Sequence, residues 1–107
     1  MGGSIGGSPF GRGKKSISCM DLIIKTQLYS PNPAIIDLIT IGTILELNLE
    51  SSAGPCVAMF NGVVAGTILN SYLLALIDCM QKGIKYIAVV RSIKGGNCAV
   101  TIKCKET

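Results

Sequence analysis

Cys56–Ile68 reads CVAMFNGVVAGTI, and the pair at its centre decides the fold. Asn61-Gly62 suits a two-residue type I′ turn, because both positions tolerate positive φ. Apolar residues flank it as Cys56–Phe60 and Val63–Ile68. The stretch is therefore expected to be a β-hairpin. A membrane span is the competing reading, since no charge lies between Glu50 and Asp78 and Val57–Ile77 is long enough to cross a bilayer. Asn61-Gly62, Gly66 and Asn70-Ser71 interrupt that run, and a lipid-facing helix does not carry such punctuation. No membrane insertion is expected.

Beyond the hairpin, Asn70–Lys82 is expected to be a helix. Asn70 or Ser71 suits its start, and Gly83 stands where a helix-ending glycine belongs. At about 100° per residue, Cys79, Tyr72, Leu76, Met80, Leu73 and Ile77 fill one arc. Leu74 falls in the polar arc opposite. Ile84–Ile93 and Cys98–Lys105 then read as two strands joined by Lys94-Gly95-Gly96-Asn97. A turn centred on the two glycines pairs Ile93 with Cys98, Val89 with Ile102 and Ile87 with Cys104. That register puts Val100, Ile102 and Cys104 inside, and Tyr86, Ala88, Val90, Thr101, Lys103 and Lys105 outside. Arg91 would face Val100, a conflict unless that end of the sheet opens to solvent.

On the N-terminal side of the hairpin, Ile41–Glu50 alternates clearly. Ile41, Thr43, Leu45, Leu47 and Leu49 share one face, and Glu46, Asn48 and Glu50 the other. Ser18–Leu28 also has period two, with Met20, Leu22, Ile24 and Leu28 on one side. Ser30-Pro31-Asn32-Pro33 ends it, and Ala34–Ile39 is expected to form one helical turn. Six short strands and one helix imply a mainly β (α+β) domain. Its expected form is a small six-stranded bent sheet or SH3-like barrel with the helix plugging one opening. This domain spans residues 16–107. Residues 1–15 hold six glycines and three basic residues and are expected to be a flexible arm.

At 107 residues the chain has room for one core. It contains no His, which excludes His-based acid–base catalysis, the Ser-His-Asp and Cys-His systems, and imidazole zinc sites. Glu46 and Glu50 lie about 13 Å apart on an extended strand, too far to work as a carboxylate pair. No activating base accompanies any cysteine. The expectation is a protein that is not an enzyme and uses no cofactor or metal.

Ten Lys/Arg against six Asp/Glu give a net charge of +4. Arg12, Lys14 and Lys15 carry most of the excess, so the domain itself is nearly neutral. The five cysteines (Cys19, Cys56, Cys79, Cys98, Cys104) form no C-x-x-C pair. They read as reduced, small core residues, which implies a cytoplasmic location.

Three runs together resemble a HIRAN domain. These are LITIGTILELN at Leu38–Asn48, CVAMFNGVVAGTI at Cys56–Ile68, and GIKYIAVV at Gly83–Val90. The resemblance spans Cys19 to Cys104 and rests on the spacing of apolar residues and glycines. It implies a β-barrel that binds single-stranded DNA or DNA ends as a module of a larger machine. The chain departs from the family at Ser51-Ser52-Ala53-Gly54-Pro55, where an Asn-Pro-x-Asp-like segment is usual, and the family's base-stacking aromatics have no secure counterpart.

The candidate nucleic-acid site follows from the expected hairpin. Tyr86 on its outer face would stack a base beside Lys103 and Lys105, with Arg91 and Lys94 adding positive charge. Tyr29, in the loop before Ser30-Pro31, is a second stacking candidate. Tyr72 belongs to the helix's apolar arc and so to the core. The alternative function is a protein-interaction module, favoured by the uncharged stretch from Glu50 to Asp78. Expected partners are accordingly single-stranded nucleic acid, a larger protein, or further copies of the chain.

Overall fold

The computed structural model describes residues 18–105. The expected arm, residues 1–15, lies outside them. The six strands are β1 (Ile24–Tyr29), β2 (Ile44–Leu49), β3 (Cys56–Phe60), β4 (Val63–Ile68), β5 (Tyr86–Lys94) and β6 (Asn97–Cys104). They close into an antiparallel barrel in the order β1-β4-β3-β2-β5-β6, with β6 returning to β1. The domain is mainly β, as expected, and its sheet is a closed barrel.

The hairpin that decides the reading forms as the sequence dictates. Asn61 and Gly62 have φ of 51° and 81° and join β3 to β4. Leu45 and Leu47 of β2 point inward between Glu46 and Asn48. Helix α1 (Pro33–Ile36) is the expected single turn. Asn32 caps it by accepting from the Ala34 amide, and Ile35, Ile36 and Ile39 enter the core at one end of the barrel.

Helix α2 (Leu73–Gln81) links β4 to β5 and buries Leu76 and Cys79 in the same core. Its end is a Schellman motif: Gly83, at φ 94°, donates to Met80 O, and Ile84 donates to Cys79 O. The helix starts three residues later than expected. Asn70 Oδ1 accepts from Tyr72 N at 2.9 Å, a turn that leaves Tyr72 outside the helical arc and 52% exposed. Tyr72 is therefore not a core residue. Leu74, out of pattern in the sequence, is exposed.

Three further expectations are corrected. The first strand begins at Ile24, because Cys19–Asp21 forms a 3-10 helix capped by Ser18, and this leaves Met20 exposed. Ile41 is exposed because Thr43 N bonds Thr40 O in a turn before β2 starts. The cysteines are not all thiols, since Cys19 and Cys79 form a disulfide with Cα atoms 5.7 Å apart. Residues separated by 60 positions have no spacing signature, and it is the 3-10 helix that sets Cys19 against the buried side of α2. Cys56 and Cys98 are free and buried, and Cys104 is free and half-buried.

The terminal hairpin departs from its expected register at one residue. Ile93 pairs with Cys98 as predicted, but the ladder then shifts between Val90 and Ser92. Arg91 is the extra residue of a β-bulge. Below it Val90 pairs with Val100, Ala88 with Ile102 and Tyr86 with Cys104. A one-residue offset exchanges the two faces of a strand. Tyr86, Ala88 and Val90 consequently lie inside the barrel, together with Cys98, Val100 and Ile102. The bulge also removes the conflict of Arg91 with Val100.

Candidate interaction face and seam cleft

The six residues singled out from sequence do not converge. Tyr86, expected on the outer face, is 2% exposed, and its hydroxyl donates to Cys19 O at 2.5 Å. It cannot stack a base. Burial pushes its hydroxyl pKa up, and the neighbouring Cys104 adds to the shift. Arg91 folds over β6, where its Nε donates to Thr101 Oγ1 at 3.0 Å and covers that threonine. Lys94 pairs with Asn97 at the hairpin tip, six residues along β6 from Lys103, or about 20 Å. Tyr29 is exposed on β1 opposite Thr67, on the side of the barrel formed by β1 and β4.

Lys103 and Lys105 do stand near one another. Lys103 faces outward, opposite Ile87. Lys105 follows β6, its amide donating to Lys85 O at 2.8 Å, and its Nζ lies 3.7 Å from Glu46 Oε2. Both members of that ion pair are well exposed, so it adds little stability.

The place expected for Tyr86 is taken by aliphatic side chains. One cross-strand row on the outer face runs Met59, Glu46, Ile87, Lys103. The next runs Ile44, Val89, Thr101, Lys25. Ile44 is 58% exposed, and Met59, Ile87 and Val89 are half-buried. Hollows of about 280 Å³ and 330 Å³ flank Ile44, one reaching Lys103 and Lys105, the other Met59 and Phe60. Sequence reasoning missed this face because Tyr86–Val90 is apolar at every position. Alternation there carries no information about which side is in.

A larger cleft, about 430 Å³, opens where β2 and β5 part. Their ladder covers only Ile44↔Val89, Leu45↔Ala88 and Glu46↔Ile87, whereas β2 continues to Leu49. Leu47, Leu49, Met80 and Ile84 line the interior of the cleft, with Glu46, Asn48, Lys85 and Lys105 around it.

The free buried thiols are poor nucleophiles. Burial pushes the Cys56 thiol up to about 11 and raises that of Cys98, which lowers the thiolate fraction at neutral pH. Among the described residues no group of three His, Cys, Asp or Glu side chains is placed to hold a metal ion. No helix among them is long and apolar enough to cross a membrane. No known protein family, curated protein or solved structure matches the chain.

Proposed function

We propose that the chain is a non-enzymatic accessory module that docks a protein partner through the outer face of β2 and β5. The observation that carries this reading is the exposed Ile44, set in a cluster with Met59, Ile87 and Val89 and edged by Lys103 and Lys105. An aliphatic centre with a charged rim is the anatomy of a protein contact. Isolated exposed aliphatics need no explanation, but a contiguous group does.

Nucleic-acid binding, which the HIRAN resemblance implies, is the second reading. Lys25, Lys103 and Lys105 on or beside adjacent strands β1 and β6 favour it. It lacks a ring beside them, because Tyr86 is inside, and stacking on unpaired bases is what such platforms use. The cytoplasmic expectation rested on five free thiols; the Cys19–Cys79 bond favours an oxidising compartment instead.

The test is site-specific photo-crosslinking in the cells of origin. A photoreactive residue at Ile44 should give a discrete adduct to another protein. The adduct should disappear in Ile87→Asp and persist in Leu74→Asp. A photoreactive residue at Leu74, which is more exposed than Ile44, should give none. Equal labelling from both positions, or none from Ile44, would overturn the reading. An adduct to a second copy of the chain would replace the external partner with a homo-oligomer.

A further inference from the structure

We propose that the seam cleft receives an extended, acidic peptide segment as an added strand along β2. The proposal rests on the protein-docking reading above and names the part of the partner that this site recognises.

The backbone supplies the first argument. Alternation along β2 is set by two bonds: Val90 N donates to Thr43 O, and Glu50 N donates to Pro55 O. Odd-numbered residues of β2 therefore direct their main-chain groups toward β5, and even-numbered ones toward β3. Because the β5 ladder stops at Glu46↔Ile87, the N–H and C=O of Leu49 face the cleft without a strand partner. Closing a barrel normally removes such edges. This one stays open because the chain leaving α2 through Gly83 and Ile84 is drawn back to Cys79 and Met80 by the Schellman motif. It joins β6 at Lys85, through the Lys105 amide, before it meets β2.

The side chains supply the second. Leu49, Met80 and Ile84 are partly buried and give the cleft an apolar floor. Among the described residues, Lys85 and Lys105 stand beside it with Glu46 as the one lining acid, and Glu46 is held only loosely by Lys105. The complement of an open strand edge is another peptide backbone, and alternate side chains of an added strand would drop onto the floor. Among the described lining residues, two lysines against one glutamate favour carboxylates next to those apolar residues. The cleft volume falls within the range of ligand pockets, about 300–1,000 Å³.

The experiment is selection of a random peptide display library on the full chain, followed by synthesis of the enriched peptide. The expected peptide alternates apolar residues with Asp or Glu. On binding, the Leu49 amide should become protected from hydrogen exchange. N-methylation of one alternating set of peptide amides should abolish binding, and methylation of the other set should not. Lys85→Glu and Lys105→Glu should each weaken it about three- to fivefold. Failure to enrich any peptide, enrichment of basic peptides, or binding that leaves Leu49 unprotected would overturn the cleft proposal. If the Ile44 crosslink persists in any of those cases, the docking face stands and only the cleft falls. If it too is lost, both readings fall.

Discussion

The Tyr86 hydroxyl donates to the main-chain carbonyl of Cys19, 67 residues earlier in the chain, at 2.5 Å. This bond joins the start of β5 to the 3-10 helix that carries half of the disulfide. It makes Tyr86 a structural residue. Tyr86→Phe should cost about 1 kcal/mol of stability, the usual net worth of one hydrogen bond. Tyr86→Ala should cost about 3–5 kcal/mol, as large aromatic truncations in cores do. Urea denaturation of the two variants checks both values. A Tyr86→Ala variant as stable as the parent chain would place the ring outside.

The bulge at Arg91 makes a sharper prediction. Deleting Arg91 leaves Val90 opposite Val100 and Ser92 opposite Ala99, a regular ladder with the same residues inside. The deletion should change stability by no more than about 1 kcal/mol, within the range of ordinary surface changes. Deleting Val89 instead would turn Ala88 and Tyr86 outward and should prevent folding. Thermal melts of the two deletion variants distinguish these outcomes.

Reducing the Cys19–Cys79 bond, or replacing both cysteines by serine, should lower the unfolding free energy by about 4 kcal/mol. That is the chain-entropy value for a closed loop of 60 residues. Denaturation with and without a reductant gives the number. No difference between the two would mean that the bond contributes nothing to the fold.

Gly66 of β4 lies tight against Leu28 of the neighbouring strand β1. A Cβ placed there would lie 2.8 Å from Leu28 Cβ, closer than real side-chain atoms come. Gly66→Ala should therefore destabilise by about 1–3 kcal/mol. In a Leu28→Gly background, which removes that Cβ, Gly66→Ala should cost less than it costs in the parent chain, whereas Leu28→Ala keeps the Cβ and most of the clash. Additive losses in that double-mutant cycle would contradict the contact.

Stability should also fall at alkaline pH. Burial raises the Cys56 thiol from its ordinary value of 9.0 to about 11, so the folded state holds its proton more tightly than the unfolded chain. The associated stability is fully present below pH 9 and is lost as pH rises through about 11. Its size is on the order of 2–3 kcal/mol. Cys98 and Tyr86 shift in the same direction. Denaturant midpoints measured across that window should decline, and Cys56→Ala should flatten part of the decline.

Much of the barrel was legible because local chemistry decided it. Asn61-Gly62 accepts only a tight turn, Leu45 and Leu47 alternate with Glu46 and Asn48, and Gly83 ends a helix. The faces of β5 were not legible, since Tyr86-Ile87-Ala88-Val89-Val90 is apolar on both sides and the register depended on one unpaired arginine. The Cys19–Cys79 bond was hidden for a different reason: it depends on how a 3-10 helix docks against a helix 60 residues away. Of the candidate site, Lys103 and Lys105 were placed correctly on the outside and Cys104 between them correctly inward, but the expected cross-strand neighbours Tyr86, Ala88 and Val90 lie inside. Tyr29 and Lys94 are exposed, as a nucleic-acid contact would require, but they lie apart from those two lysines.

Titration of a fluorescent single-stranded oligonucleotide with the full chain at low salt shows whether the outer face of β2 and β5 is built for a protein or for phosphates and bases. A protein-docking face should give no saturable binding, and no difference between the parent chain, Lys103→Ala and Ile87→Asp. Saturable binding would contradict that reading if the affinity falls with rising salt and if Lys103→Ala flattens that dependence by roughly one unit of slope.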